Sequence, residues 1–199
     1  MEVMKREMAL NDATEFEDME AAMATICRRS EGLLRFADTY RNLSKNIVPE
    51  MHLVNLHEML SSVYRLMKPS LDRKGVLFGI QSDNVTIVAE LDRNLIEQVV
   101  INFITNATHA IKDKNEAHIV LFSGQKEGCP FLTVADNGCG ITPEIYEKMF
   151  IPFFSSKKNG TGIGLSLSRE IVKLHHGSLQ VQTKAGEGSA FTVLFPQQK

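Results

Sequence analysis

The sequence has few cysteines. Cys27, Cys129 and Cys139 are odd in number and show no CxxC spacing, which argues against a disulfide framework and a zinc site and points to a reducing compartment. No apolar run approaches the eighteen or so residues of a membrane span, and the start MEVMKREM has no apolar signal core. A membrane sensor, if one belongs to this protein, is therefore expected outside this sequence, and the segment itself is expected to be cytoplasmic and to make no membrane contact. Charge of one sign is also lacking: 22 Lys and Arg against 24 Asp and Glu give a formal net charge of -2 at pH 7. That balance speaks against nucleic-acid binding as the main activity. There is no internal repeat, no low-complexity tract and no GxxxxGK(S/T) loop. What is present, 199 residues with 43% hydrophobic and 23% charged, suffices for one well-buried domain plus an appendage.

Taken in order, residues 1–14 read as a flexible N-terminus. Apolar residues then recur at steps of three and four: Phe16, Met19, Met23, Ile26, Leu33, Ala37, Tyr40 and Ile47, with Ser30 and Ser44 interrupting the seam. The pattern predicts a long coiled-coil-like helix over 15–48 that needs a partner to cover its seam, most simply a second copy of the chain. Pro49 ends it, and 49–54 reads as a linker. Asn55 with Glu58 makes a capping-box-like start to a helix stopped before Pro69. Strand patterns follow at 76–81 and 85–90 around the turn 82–84. Asp92 caps the longest helix of the second region, with Leu95, Ile96, Val99, Val100, Phe103, Ile104, Ala107, Ala110 and Ile111 on its apolar face. Its opposite face carries a polar stripe: Gln98, Asn102, Asn106, His109 and Asp113. Strands are expected at 118–123 and 131–135, then a helix over 164–175 with Gly177 as its C-cap, and a closing hairpin of 179–183 and 190–195. The whole predicts an α/β sandwich of two layers over 55–199, a mixed sheet with helices on one face.

Between the last of the middle strands and the 164–175 helix lie two glycine clusters, Asp136-Asn137-Gly138-Cys139-Gly140 and Gly160-Thr161-Gly162-Ile163-Gly164, separated by about twenty residues. A connection this long in a compact domain is usually a lid or a binding loop. Glycines bare backbone N–H groups, and the second cluster runs into a helix, an arrangement suited to phosphate. Taken singly each signal is weak. Paired amides on a helix are most often surface residues, and GxGxG matches neither the dinucleotide fingerprint nor a Walker loop. Their order carries the weight: amide helix, Asp-x-Gly-x-Gly after a strand, Phe-rich turn, GTGIGL before a helix, and a final Gly-Glu-Gly-Ser.

In that order the segments DRNLIEQVVINFITNATHA (92–110), Asp136 to Gly140, FIPFFSSK (150–157), GTGIGL (160–165) and GEGS (186–189) resemble the ATP-binding catalytic domain of sensor histidine kinases of two-component systems. That domain belongs to the superfamily shared with gyrase, the ninety-kilodalton heat-shock chaperone and the mismatch-repair ATPases. The resemblance covers about 55–195, and the long front helix is similar to the second helix of the dimerisation and phosphotransfer hairpin. It implies a catalytic domain over 55–199 with an ATP lid, binding ATP and magnesium. Asp136 would accept from the exocyclic amine of adenine, where the carbonyl of guanine would be repelled, and a hydrogen bond to a charged group is worth about 1.5 to 3 kcal/mol. Gly138 and Gly140 would let the backbone approach the base, with Ser189 helping on the adenine side. Asn106 is marked as the magnesium ligand, with Asn102 one turn earlier and His109 either near the phosphates or facing solvent. Gly160, Thr161, Gly162, Gly164 and Leu165 would hold phosphates, and Lys157 or Lys158 could swing in as the lid closes. Phe150, Phe153 and Phe154 are expected to pin the lid to the core.

Hydrolysing members of the superfamily place a glutamate where this chain has Asn102. An amide cannot take a proton, so transfer to a nucleophilic histidine is favoured over water attack, and Asn102 and Asn106 are the candidate catalytic residues. His57-Glu58-Met59 resembles an acceptor motif but is rejected: the flanking Arg or Asn and the Pro are missing, and Glu58 has a capping role. His52, His118, His175 and His176 lack acceptor context. The expectation is a C-terminal piece of a longer sensor kinase whose acceptor histidine lies elsewhere, with a response-regulator receiver domain as partner and a homodimer through the front helix. The alternative is a stand-alone ATP-binding module, either a serine- or histidine-directed kinase acting on a separate protein or a nucleotide-sensing regulator without catalysis, or a weak ATPase without phosphotransfer.

Overall fold

The computed structural model describes residues 19, 23, 26, 27, 30, 48–111, 115–157 and 160–197. The chain divides into two compact units, Met1–Ile47 and Val48–Lys199. In the first, the described residues Met19, Met23, Ile26, Cys27 and Ser30 are helical and exposed, and four of them lie on the expected seam. The 1–14 terminus and the remainder of the predicted front helix fall outside the described residues.

The second unit contains two sheets. β1 (His52–Asn55) pairs antiparallel with β3 (Val88–Leu91). The main sheet has the order β2-β4-β5-β7-β6, built from β2 (Leu77–Ser82), β4 (His118–Lys126), β5 (Cys129–Asp136), β6 (Ser178–Lys184) and β7 (Gly188–Leu194). β2 runs parallel to β4 and the other pairings are antiparallel, so the sheet is mixed as expected. Alternation sorts its two faces. Ile119, Leu121, Leu132, Val134, Phe191 and Val193 point into the core. Half-buried Phe122, Phe131, Thr133 and Thr192 line the other face, where the two threonine hydroxyls bond at 2.8 Å. Three helices cover the inner face: α1 (Leu56–Asp72), α2 (Arg93–Ala110) and α4 (Gly164–Leu174), with the one-turn α3 (Pro143–Tyr146) in the long connection.

The helix starts are set by their caps. Asn55 Oδ1 accepts from Glu58 N at 2.9 Å, and Asp92 Oδ1 accepts from Asn94 N and Leu95 N at 3.0 and 3.2 Å, each cap being worth about 1 kcal/mol. α2 then buries Ile96, Val99, Val100, Phe103, Ile104 and Ala107 against the sheet, with Phe103 stacked on Phe191 at 5.0 Å between centroids. Each fully buried side chain of this size contributes about 1.5 to 3 kcal/mol.

Four expectations are corrected. Residues 49–54 are not wholly linker, because His52–Asn55 form β1. The strand expected at 85–90 begins only at Val88, as β3, and lies in a different sheet from β2. α1 does not stop before Pro69 but runs to Asp72, losing one backbone bond while burying Leu71, and the chain turns beyond it at Gly75, φ +69. At the end of α4 the left-handed position is taken by His176, φ +54, and not by Gly177.

His175 is fully buried and joins elements that carry the site. Its Nδ1–H donates to Ile171 O at 2.7 Å, and its Nε2 accepts from Asp92 N at 3.0 Å. The start of α2 is thereby tied to the end of α4. Replacing His175 by Ala leaves the Asp92 amide without its partner and opens a cavity, so His175→Ala is expected to lower unfolding stability by about 3 kcal/mol. Urea denaturation measures this, and a loss below about 0.5 kcal/mol would show that the imidazole does not join the two helices.

Candidate functional site

The polar stripe of α2 faces away from the sheet; the second glycine cluster lies against it at Asn102, and the first rests on the last turn of the helix at Ala110. Gly138 rests on the last turn of α2: a Cβ there would meet the backbone and side chain of Ala110, and Cys139 N bonds Ala110 O at 3.0 Å. Gly164, the first residue of α4, lies against Asn102, since a Cβ there would collide with its carboxamide. Lys157 Nζ donates to Asn106 Oδ1 at 2.9 Å. One side of one helix thus meets the 136–140 cluster, the start of α4 and the end of the Phe-rich turn.

At the end of β5, Asp136 is half-buried and its Oδ1 accepts from Gly138 N at 2.8 Å. The bond folds the chain back over α2. Gly140 has φ +66, and a Cβ on it would overlap Lys184 O. Gly188, φ +127, approaches Asp136 O as closely. Asp136 pairs with Ser189 across the β5–β7 ladder, so the expected adenine residues stand side by side. Ser189 is buried and its hydroxyl lies 2.9 Å from Thr183 Oγ1. Thr183 also accepts from Ile141 N at 2.9 Å and donates to Gly188 O at 3.0 Å. Thr183 was not singled out in the sequence, where a threonine ending a strand gives no local signal.

The second cluster forms the entry to α4. Phe153 N bonds Gly162 O at 2.9 Å, and Gly162, φ +68, packs too close to Phe153 for any side chain. Thr161 is exposed and Leu165 half-buried. The N-cap of α4, Ile163, offers no side-chain acceptor, and the first-turn amides of a helix have no partner within the helix. Such a terminus suits an anion. Asn102 Nδ2 donates to the buried Ser168 Oγ at 2.9 Å, clamping α2 to α4.

One further expectation resolves differently. Phe153 does not pin the connection: it is 47% exposed and has φ +68. Phe150 instead packs beneath the Arg169 guanidinium at 5.2 Å from its ring centroid. His109 is exposed, its Nδ1–H turned back onto Thr105 O at 2.6 Å. Asp113 and Lys158 lie outside the described residues.

The cation on Asn106 tests whether a metal fits. The Lys157 ammonium on Oδ1 shows that this carboxamide oxygen faces a space that holds positive charge. Among the described residues no group of three or more His, Cys, Asp or Glu could hold a metal, so a magnesium ion at Asn106 would complete its shell with phosphate oxygens and water. Burial holds the Lys157 amine below its ordinary pKa, with the Cys139 side chain acting in the opposite sense.

Residues 91–199 match the family of histidine kinase-, DNA gyrase B- and HSP90-like ATPases. Over 143 residues, 72% of the chain, the sequence is 32% identical to the signal transduction histidine-protein kinase AtoS of Escherichia coli (strain K12), of which it spans 23%. The catalytic domain of the histidine kinase ThkA superposes with a TM-score of 0.68 at 32% identity, over 74% of this chain and 96% of that one. ThkA in complex with the response regulator protein TrrA superposes with a TM-score of 0.70 at 28% identity, over 83% of this chain and 47% of that one.

The glycine contacts separate positions that need closeness from those that need only a turn. Gly186 also has a positive φ, +84, but a Cβ on it would meet nothing within 4 Å. Gly140→Ala is therefore expected to cost about 3 kcal/mol and Gly186→Ala about 1 kcal/mol. Chemical denaturation of the two variants checks the order, and equal losses would show that the close approach of Gly140 to Lys184 is immaterial.

Proposed function

Because the chain belongs to the family of histidine kinase-, DNA gyrase B- and HSP90-like ATPases, we propose that it is the ATP-binding catalytic part of a two-component sensor histidine kinase, transferring the γ-phosphate of ATP to a histidine outside this sequence. The observation that carries this reading is the convergence on α2 of Gly138, Gly164 and Lys157, at Ala110, Asn102 and Asn106 respectively. In this reading Asp136 takes the adenine amine, Gly138 and Gly140 admit the ring, and Ser189 supports that side. The amides of 160–165 at the start of α4 hold the phosphates, with Lys157 beside them and His109 at the outer edge of the stripe. Asn106 would hold magnesium, which when bound draws charge from the phosphate oxygens.

Asn102 is held by Ser168 and Gly164, which suits a positioning role, and its amide supplies no base for water. Among the described residues no helix is long and apolar enough to cross a membrane, and use of ATP suits a cytoplasmic position, on the inner side of a membrane sensor if one is attached. The complex of ThkA with TrrA supports a receiver domain as partner. Exposure of Met19, Met23 and Ile26 at 56%, 61% and 63% supports dimerisation through the front helix.

Incubation of the chain with magnesium and γ-labelled ATP separates kinase from hydrolase. The expected outcome is nucleotide binding, slow release of phosphate that Asn102→Ala leaves in place, and no acid-labile label on the chain. Label that disappears in His57→Ala would give this chain its own acceptor, and rapid hydrolysis abolished by Asn102→Ala would make it an ATPase.

A further inference from the structure

Lys157 is exposed and, among the described residues, forms no ion pair; its one hydrogen bond through Nζ is to the neutral carboxamide oxygen of Asn106, at 2.9 Å. Partial desolvation of its amine outweighs the opposing effect of the Cys139 side chain and lowers its pKa. The oxygen it occupies is the one that would hold the metal. Two cations bound to one carbonyl oxygen would stand within about 4 Å of each other, where like charges repel strongly near a protein interior. Neighbouring bonds keep Lys157 in place: its backbone N donates to Ser155 Oγ at 3.1 Å and its carbonyl accepts from Gly160 N at 3.1 Å.

We propose that Lys157 is a built-in monovalent stand-in for the divalent metal: its ammonium and magnesium are alternative occupants of Asn106 Oδ1, and it neutralises the polyphosphate of ATP when the metal is scarce. The inference rests on the assignment of Asn106 and the start of α4 to the metal and phosphates. It has a consequence beyond that assignment. A site with its own movable cation binds metal-free nucleotide measurably and depends on magnesium only moderately. Removing the charge makes the polyphosphate rely on the metal alone, whereas arginine keeps the charge.

Isothermal titration calorimetry with ATP, once in excess magnesium and once in chelator, gives the ratio of the two dissociation constants. Wild type is expected to bind in both conditions. Lys157→Ala should raise the ratio about tenfold or more, the scale of one charge-assisted hydrogen bond, while Lys157→Arg keeps it near the wild-type value. Thermal melting confirms that the variants fold, and a merely structural lysine would weaken both conditions equally. An unchanged ratio in Lys157→Ala, or no metal-free binding by wild type, overturns the stand-in role and leaves the ATP assignment intact. No binding by wild type even with magnesium overturns both.

Discussion

The structure depends on how closely two glycine clusters can approach one helix. Gly138 lies on the backbone of Ala110 at a distance that excludes a side chain, and Gly164 lies so close to Asn102 that a side chain there would displace its carboxamide. These contacts convert an amphipathic helix into the floor of a site: the apolar face of α2 is held by Phe103 and its neighbours in the core, so the opposite face is presented at a fixed height to whatever the loops enclose. Remove either approach and the amides of Asn102 and Asn106 become ordinary surface groups. The other polar bonds of the domain support the same arrangement. His175 fixes the end of α4 to the start of α2, and Thr183 knots β6, residue 141 and the Gly188-Ser189 corner at the end of β5.

The chemistry follows from the charge of that floor. Asn102 and Asn106 present neutral oxygens and amide hydrogens where carboxylates would repel a polyphosphate, and the positive charge is supplied by Lys157 and, on this account, by a metal arriving with the nucleotide. A neutral floor binds and orients without abstracting protons. The uncapped start of α4 adds oriented N–H groups at no cost in reorganisation. On the proposed reading, such a floor would favour delivery of a phosphoryl group to a nucleophile brought by another element over activation of water.

Much of this was legible in the sequence because the signals were local. Asn55 and Asp92 cap the helices they were expected to cap, the apolar spacing of α2 gives its buried face, Asp136 ends its strand, Gly164 opens its helix, and Gly138, Gly140, Gly160 and Gly162 lie in the connection between them. What escaped was non-local or marginal. β1 is four residues long, half of them exposed, and exists because β3 lies beside it more than thirty residues later. Pro69 was tolerated because only the last turn of α1 follows it, where Leu71 gains burial. Ser168 and Thr183 matter through partners 66 and 42 residues away, Asn102 and Ile141. The exposed Phe153, with its positive φ, was hidden within an aromatic run that read as a uniform anchor.

The central claim, that the α2 stripe and the start of α4 form an ATP site, is tested most directly by NMR of the labelled chain titrated with magnesium and ATP. The account predicts that the largest shifts fall on the backbone amides of Gly164, Leu165 and Ser166, on the loop at Gly138 to Gly140, and on the side-chain amides of Asn102 and Asn106. Shifts confined to other surfaces, or no response at millimolar ATP, would contradict it.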